Sequence, residues 1–106
     1  MAESLTASLV TTTWILTELA DGLARTPDRH LFQSILADLT REPSAIIVPP
    51  SQELFERGVQ LYITRPDKRW SLTDCISFQV MEERKITEAL TADHHFEQAG
   101  FVALLK

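Results

Sequence analysis

Hydrophobic and polar positions along this chain alternate between short β-branched runs and stretches with a helical period. Leu9 to Thr13 (LVTTT) is short and β-branched, which suits a buried strand. From Trp14 to Arg25 the apolar residues Ile15, Leu16, Leu19, Ala20 and Leu23 recur at helical spacing and form one stripe. Thr26-Pro27 reads as an N-cap followed by Pro at the first helical position. It opens a helix with Leu31, Phe32, Ile35, Leu36 and Leu39 along one side. Ala45 to Val48 (AIIV) is a second apolar strand, stopped by Pro49-Pro50. Ser51 then caps a third helix with apolar positions at Leu54, Phe55, Val59, Tyr62 and Ile63. Arg65-Pro66-Asp67 is a loop, and Ser71 opens a fourth helix with Leu72, Cys75, Ile76, Val80 and Met81 inward. Ala89 to Ala92 is a short third strand, and Phe101 to Leu105 a fourth.

Strands that alternate with helices predict an α/β layer protein with a mostly parallel sheet. There is no internal repeat, low-complexity segment or linker, so one domain is the simple reading of the 106 residues. An apolar fraction of 44% is enough for a core.

Open parallel sheets gather ligands at the carboxyl ends of their strands. Asp93 follows the run ALTA and belongs at such an end. Asp74 stands in the first turn of the fourth helix, and Glu18 in the first turns of the helix after the first strand. Convergence of these three acids would suit Mg²⁺ or Mn²⁺, which take hard oxygen ligands and keep several waters. Thr73 and Thr91 flank two of the acids and could orient them. Each acid also has a plainer reading. Glu18 lies off the apolar stripe and suits an exposed helix face. Asp74 follows Ser71 at capping-box spacing. Asp93 suits a turn or a cap before His94.

Net charge of −5 argues against a broadly basic nucleic-acid binder, whose phosphate contacts need clustered Lys and Arg. Acids around a metal are neutralised when the ion binds, so a nuclease stays open. The local basic cluster is Arg65, Lys68 and Arg69, readable as a solvated loop or as a phosphate contact. The single cysteine, Cys75, permits no internal disulfide and reads as a small core residue in a reducing, cytoplasmic compartment. The N-terminus lacks the positive segment of a signal peptide, and no apolar run approaches the roughly 20 residues that span a bilayer. His94 and His95 are adjacent, with no Cys or further His at ligand spacing, which argues against a zinc site. Trp14 and Trp70 suit either packing or base stacking. No Gly-rich phosphate loop and no GxSxG pattern is present.

Three blocks resemble one known family. LVTTTWILTEL (Leu9 to Leu19), SLTDCISFQVM (Ser71 to Met81) and ALTADHHFEQAGF (Ala89 to Phe101) are similar to segments of the PIN domain, the metal-dependent ribonucleases common as toxins of VapBC-type toxin–antitoxin pairs. The resemblance implies a three-layer PIN-like domain in which Glu18, Asp74 and Asp93 bind Mg²⁺ or Mn²⁺ and cleave RNA. Thr73, Thr91, Arg65, Lys68 and Arg69 are then candidates for RNA contact or for supporting the ligands. It further implies a small antitoxin protein as partner.

One family element has no counterpart. PIN domains open with a central strand ending in Asp followed by Thr or Ser, then a helix. This sequence starts MAESLTASLVTTT, already entering the second strand, and Asp21 lies inside a helix. The expectation is a PIN-like domain without its first strand and first helix. It could be the product of a start assigned downstream, an inactive remnant, or a fold completed by a second copy in a homodimer. A non-catalytic PIN-like module that binds a partner protein or RNA is the alternative to the enzyme.

Overall fold

The computed structural model describes residues 9–89 and 94–103, with the Ala103 side chain left aside. It divides into two compact units, residues 1–50 and 51–106.

In the first unit, β1 (Leu9–Thr12) runs into α1 (Thr13–Leu23), α2 (Leu31–Arg41) and β2 (Ala45–Val48). The two strands pair in parallel, with Leu9 opposite Ala45 and Thr12 opposite Val48. A parallel pair needs a crossover, and α1 with α2 supplies it. Thr12 decides where strand becomes helix. Its backbone is extended, and its hydroxyl accepts from the Ile15 N–H at 3.1 Å as the N-cap of α1. Thr12 is also almost fully buried, at 1% exposure. The neighbouring Thr13 hydroxyl donates to the Val48 carbonyl at 3.4 Å, tying the carboxyl ends of both strands together.

The predicted α1 stripe is observed, with Leu16 buried and Ile15, Leu19, Ala20 and Leu23 half-buried. The start of α2 differs from the sequence expectation. Thr26 does not cap it. Instead, the Thr26 hydroxyl donates to the Leu23 carbonyl and accepts from the Asp28 N–H, which closes a turn that contains Pro27. The helix begins at Leu31, after an N-cap residue, His30, that makes no side-chain cap bond. The Leu23 carbonyl at the end of α1 accepts from both the Thr26 N–H and its hydroxyl, which commits Thr26 to that helix end.

The second unit holds α3 (Gln52–Thr64), α4 (Leu72–Glu83), β3 (Glu88–Ala89), α5 (His94–Gln98) and β4 (Val102–Ala103). β3 and β4 form a second parallel pair, Glu88 opposite Val102 and Ala89 opposite Ala103. The mostly parallel sheet expected from the sequence is thus seen as two parallel two-stranded pairs among the described residues.

Helix α4 contacts both α3 and α5, so it is buried nearly all round: Cys75, Ile76, Ser77, Phe78, Val80 and Met81. Its partner α3 turns only part of its apolar pattern inward. Leu54 and Gly58 are buried and Val59 half-buried, whereas Phe55, Tyr62 and Ile63 are exposed. Gly58 sets how closely α3 meets α4. A Cβ there would collide with the Ile76 side chain and lie 3.3 Å from its Cα and backbone nitrogen. Gly58→Ala is expected to destabilise the protein by up to about 2 kcal/mol: overpacking costs roughly 1–3 kcal/mol, and Ala returns about 1 kcal/mol of helix propensity. Chemical denaturation measures it, and an unchanged midpoint would show that the helices separate freely.

Both helices that precede this unit's strands end in the same reversal. After α5, Gly100 takes φ +97°, with the Gly100 N–H on the Glu97 carbonyl and the Phe101 N–H on the Phe96 carbonyl at 2.9 Å. After α4, Lys85 takes φ 57°, with the matching bonds from Lys85 to Glu82 and from Ile86 to Met81. These are Schellman closures, which satisfy the last helical carbonyls and turn the chain sharply into the next segment.

Candidate functional site

Helix α4 carries the best-defined of the predicted acids. Ser71 is its N-cap, and its hydroxyl accepts from the Asp74 N–H at 3.0 Å. In return the Asp74 Oδ2 accepts from the Ser71 N–H at 3.1 Å, completing a capping box. The carboxylate is held at the positive end of the helix dipole. Below it, the Ser77 hydroxyl donates to the Thr73 carbonyl at 2.9 Å, and the Thr73 side chain is half-buried.

Helix α5 brings a second titratable group to the same place. His95 Nδ1 lies 3.3 Å from Asp74 Oδ2, and the two side chains are only 20% and 15% exposed. A protonated imidazole pairs with a carboxylate at this distance. The sequence gives no sign of this neighbour, because nothing local links His95 to Asp74. Packing of α5 on α4 makes the pair.

Asp74 suits a hard cation in a limited sense. Its Oδ2 is engaged, while its Oδ1 accepts no hydrogen bond among the described residues and remains available as an oxygen ligand. No group of three or more His, Cys, Asp or Glu side chains able to hold a metal occurs among the described residues. Glu18 sits exposed on α1 in the first unit, six residues past the cap and so about 9 Å along the helix axis. Asp93 and Thr91 lie outside the described residues.

The basic cluster has a defined structure in the loop between α3 and α4. The Arg65 guanidinium makes two bonds to Asp67, 3.0 Å each, which hold the Asp67 carboxyl below its usual range. The Arg65 guanidinium and the Lys68 ammonium also sit over the Trp70 ring, 5.4 and 5.9 Å from its centroid. Trp70 is a core residue at 6% exposure, with its indole N–H on Gln98 Oε1 at 3.2 Å. Base stacking on Trp70 is therefore not available. Cys75 is fully buried beside it, and burial followed by the charge of Asp74 pushes its thiol pKa up, so it stays protonated and inert.

A sequence profile of the PIN domain matches residues 2–102. The chain belongs to the PIN domain family. The PIN fold is seen in three dimensions too: the structure superposes on the crystal structure of Mycobacterium tuberculosis VapC20, described as a Sarcin-Ricin loop cleaving toxin, with a TM-score of 0.82. The match has 23% sequence identity and covers 92% of this chain and 74% of that one. Comparison with curated proteins finds no match. Among the described residues of this PIN chain, no helix is long and apolar enough to cross a membrane.

Proposed function

We propose that this PIN chain is a metal-dependent endoribonuclease of the toxin type, acting in the cytoplasm and restrained by a small antitoxin protein. The observation that carries this reading is Asp74: a partly exposed carboxylate, locked by the α4 capping box through one oxygen, with its other oxygen available. Its family context supports the rest, as does the fold shared with a Sarcin-Ricin loop cleaving toxin. Glu18, Asp74 and Asp93 would hold Mg²⁺ or Mn²⁺. A divalent ion supplies charge neutralisation at a phosphodiester and a more acidic water. The chain's own part is positional. The Ser71 N–H fixes the Asp74 carboxylate before any ligand arrives, and His95 limits its motion from the α5 side. Thr73 and Thr91 support the acids they adjoin. A second copy of the chain is a further partner in this reading, since β1 pairs only with β2 among the described residues.

The test is cleavage of single-stranded and structured RNA with Mg²⁺ or Mn²⁺, comparing wild type with Glu18→Gln and Asp93→Asn. Each substitution is expected to reduce the rate by at least about tenfold, in line with the loss of a ligand or its support. Cleavage that survives both changes would remove these acids from the site. A specific observation favours the non-catalytic alternative: the capping box gives Asp74 a structural role that needs no metal. Calorimetric titration with Mn²⁺ separates the readings, because only the enzyme requires saturable binding that depends on Asp74.

A further inference from the structure

Beside the α3–α4 loop lies an open cavity of about 510 Å³ whose lining includes Tyr62, Arg65, Lys68, Arg69, Trp70 and Cys75. That size suits one small ligand unit. Its walls differ in chemistry. Trp70 and Cys75 are buried and form an apolar floor. Tyr62, 52% exposed, presents an aromatic ring at the mouth, and its neighbour Ile63 is 60% exposed. The rim is cationic in an otherwise acidic chain of net charge −5. Arg65 is neutralised by Asp67. Lys68 and Arg69 form no salt bridge among the described residues, so the positive charge of the rim rests mainly on these two.

An exposed aromatic ring beside two cations that form no salt bridge among the described residues is complementary to a group that is planar at one end and anionic at the other. An acidic peptide would meet the charge but leave the ring without a planar partner. A nucleotide meets both, since every base has a π-face and every linkage a phosphate. We propose that this cavity is a nucleotide subsite for a single-stranded segment of RNA, with one unpaired base stacked on Tyr62 and its flanking phosphates held by Lys68 and Arg69. The inference rests on the endoribonuclease reading for the nature of the strand, and assigns it a contact built from α3 and the loop after it. Its apolar floor is sequence-tolerant, so the subsite grips an unstacked base without selecting its identity. Duplex RNA, whose bases are paired and stacked, gives the ring nothing to receive.

The test uses a fluorescent, non-cleavable 2′-O-methyl oligonucleotide and anisotropy titration of the full chain. Tyr62→Ala is expected to weaken binding about tenfold with an unchanged salt dependence, because stacking releases no counterions. The double change Lys68→Gln, Arg69→Gln is expected to weaken it at least tenfold. It should also reduce the slope of log affinity against log salt by about 1.4, the value for two lost contacts to a single strand. Tyr62→Phe, which keeps the ring, should bind like wild type. A free nucleoside 5′-monophosphate should bind at least tenfold more weakly than the strand; equal affinity would overturn the strand assignment in favour of a small nucleotide. Variants that bind the oligonucleotide as well as wild type would overturn the subsite. All three side chains lie at the cavity rim, and circular dichroism confirms that the variants fold. Failure of the enzyme reading is seen separately: oligonucleotide binding with the predicted variant pattern, but no cleavage of natural RNA with Mg²⁺ or Mn²⁺, would keep the subsite and remove the activity.

Discussion

Asp74→Asn is expected to reduce metal-dependent RNA cleavage by at least about a hundredfold while costing less than about 1 kcal/mol of stability. The two numbers come apart because the observed cap and the proposed metal site ask different things of Asp74. The capping box needs an oxygen that accepts from the Ser71 N–H, and an asparagine carbonyl oxygen does so equally well. A divalent ion needs the negative charge, and its loss removes several kcal/mol of charge stabilisation, each 1.4 kcal/mol being about a factor of ten in rate. The complementary change is Ser71→Ala. It removes the hydroxyl that accepts from the Asp74 N–H and is expected to cost about 1 kcal/mol while keeping the carboxylate. Cleavage and thermal denaturation of both variants check the pair. If Asp74→Asn cleaves RNA like wild type, the carboxylate is a cap only.

Phe78→Ala is expected to destabilise the protein by about 3–5 kcal/mol, the usual range for removing a buried Phe. Phe78 is 2% exposed and joins three rings: Trp70 at 5.1 Å, Phe96 at 4.8 Å and Phe101 at 5.6 Å between centroids. The Trp70 and Phe96 contacts are edge-to-face, the arrangement the ring quadrupole favours, and each is worth about 0.5–1.5 kcal/mol beyond burial. A domain of this size has only about 5–15 kcal/mol in total, so the loss is a large part of its margin. The substitution also acts at a distance along the chain. Phe96 and Phe101 are the two ends of the Schellman closure around Gly100, and their packing on Phe78 holds α5, and with it His95, against α4. Urea denaturation gives the stability change. The near-ultraviolet circular dichroism of Trp70, whose ring meets Phe78, reports whether the native packing is lost. A change below about 1 kcal/mol would mean that the aromatic cluster is not the core of this unit.

Much of the architecture is legible without coordinates. The strand at AIIV is observed with the expected ends, because Pro49-Pro50 cannot extend it. Ser51 and Ser71 both cap the helices they were expected to open, since a serine before an apolar-periodic run offers its hydroxyl to the first free N–H groups. The α4 core, Cys75, Ile76, Val80 and Met81, is buried as its pattern indicates. The short strands overlap their expected ranges. The third strand, expected over Ala89 to Ala92, is described as Glu88–Ala89, and the fourth, expected over Phe101 to Leu105, as Val102–Ala103. Residues 90–93 and 104–106 lie outside the described residues. The helix α5 is one turn and a half of five residues, too short to leave a period in the sequence.

The inner face of α3 is only partly legible, for a physical reason. Counting apolar residues selects Leu54, which is buried, and Val59, which is half-buried, but also Phe55, Tyr62 and Ile63, which are exposed, and it omits Gly58, where the helix meets α4. Close helix contact is decided by what can be left out as much as by what is apolar, and hydrophobic patterning does not weigh a glycine. That packing leaves Tyr62 exposed beside the cavity that Trp70 also lines.

The sequence by itself determined the α/β class, the caps of α3 and α4 and the Asp74 box, and its resemblance to known segments pointed to the family. The class, the caps and the box depend on local hydrogen bonding and on apolar period, which are properties of neighbours in the chain. Tertiary structure alone decided that His95 stands beside Asp74, that Trp70 is buried beneath two cations, and that Tyr62 faces outward. Each depends on how one helix is turned against another, and that is settled by close packing between residues distant in the chain.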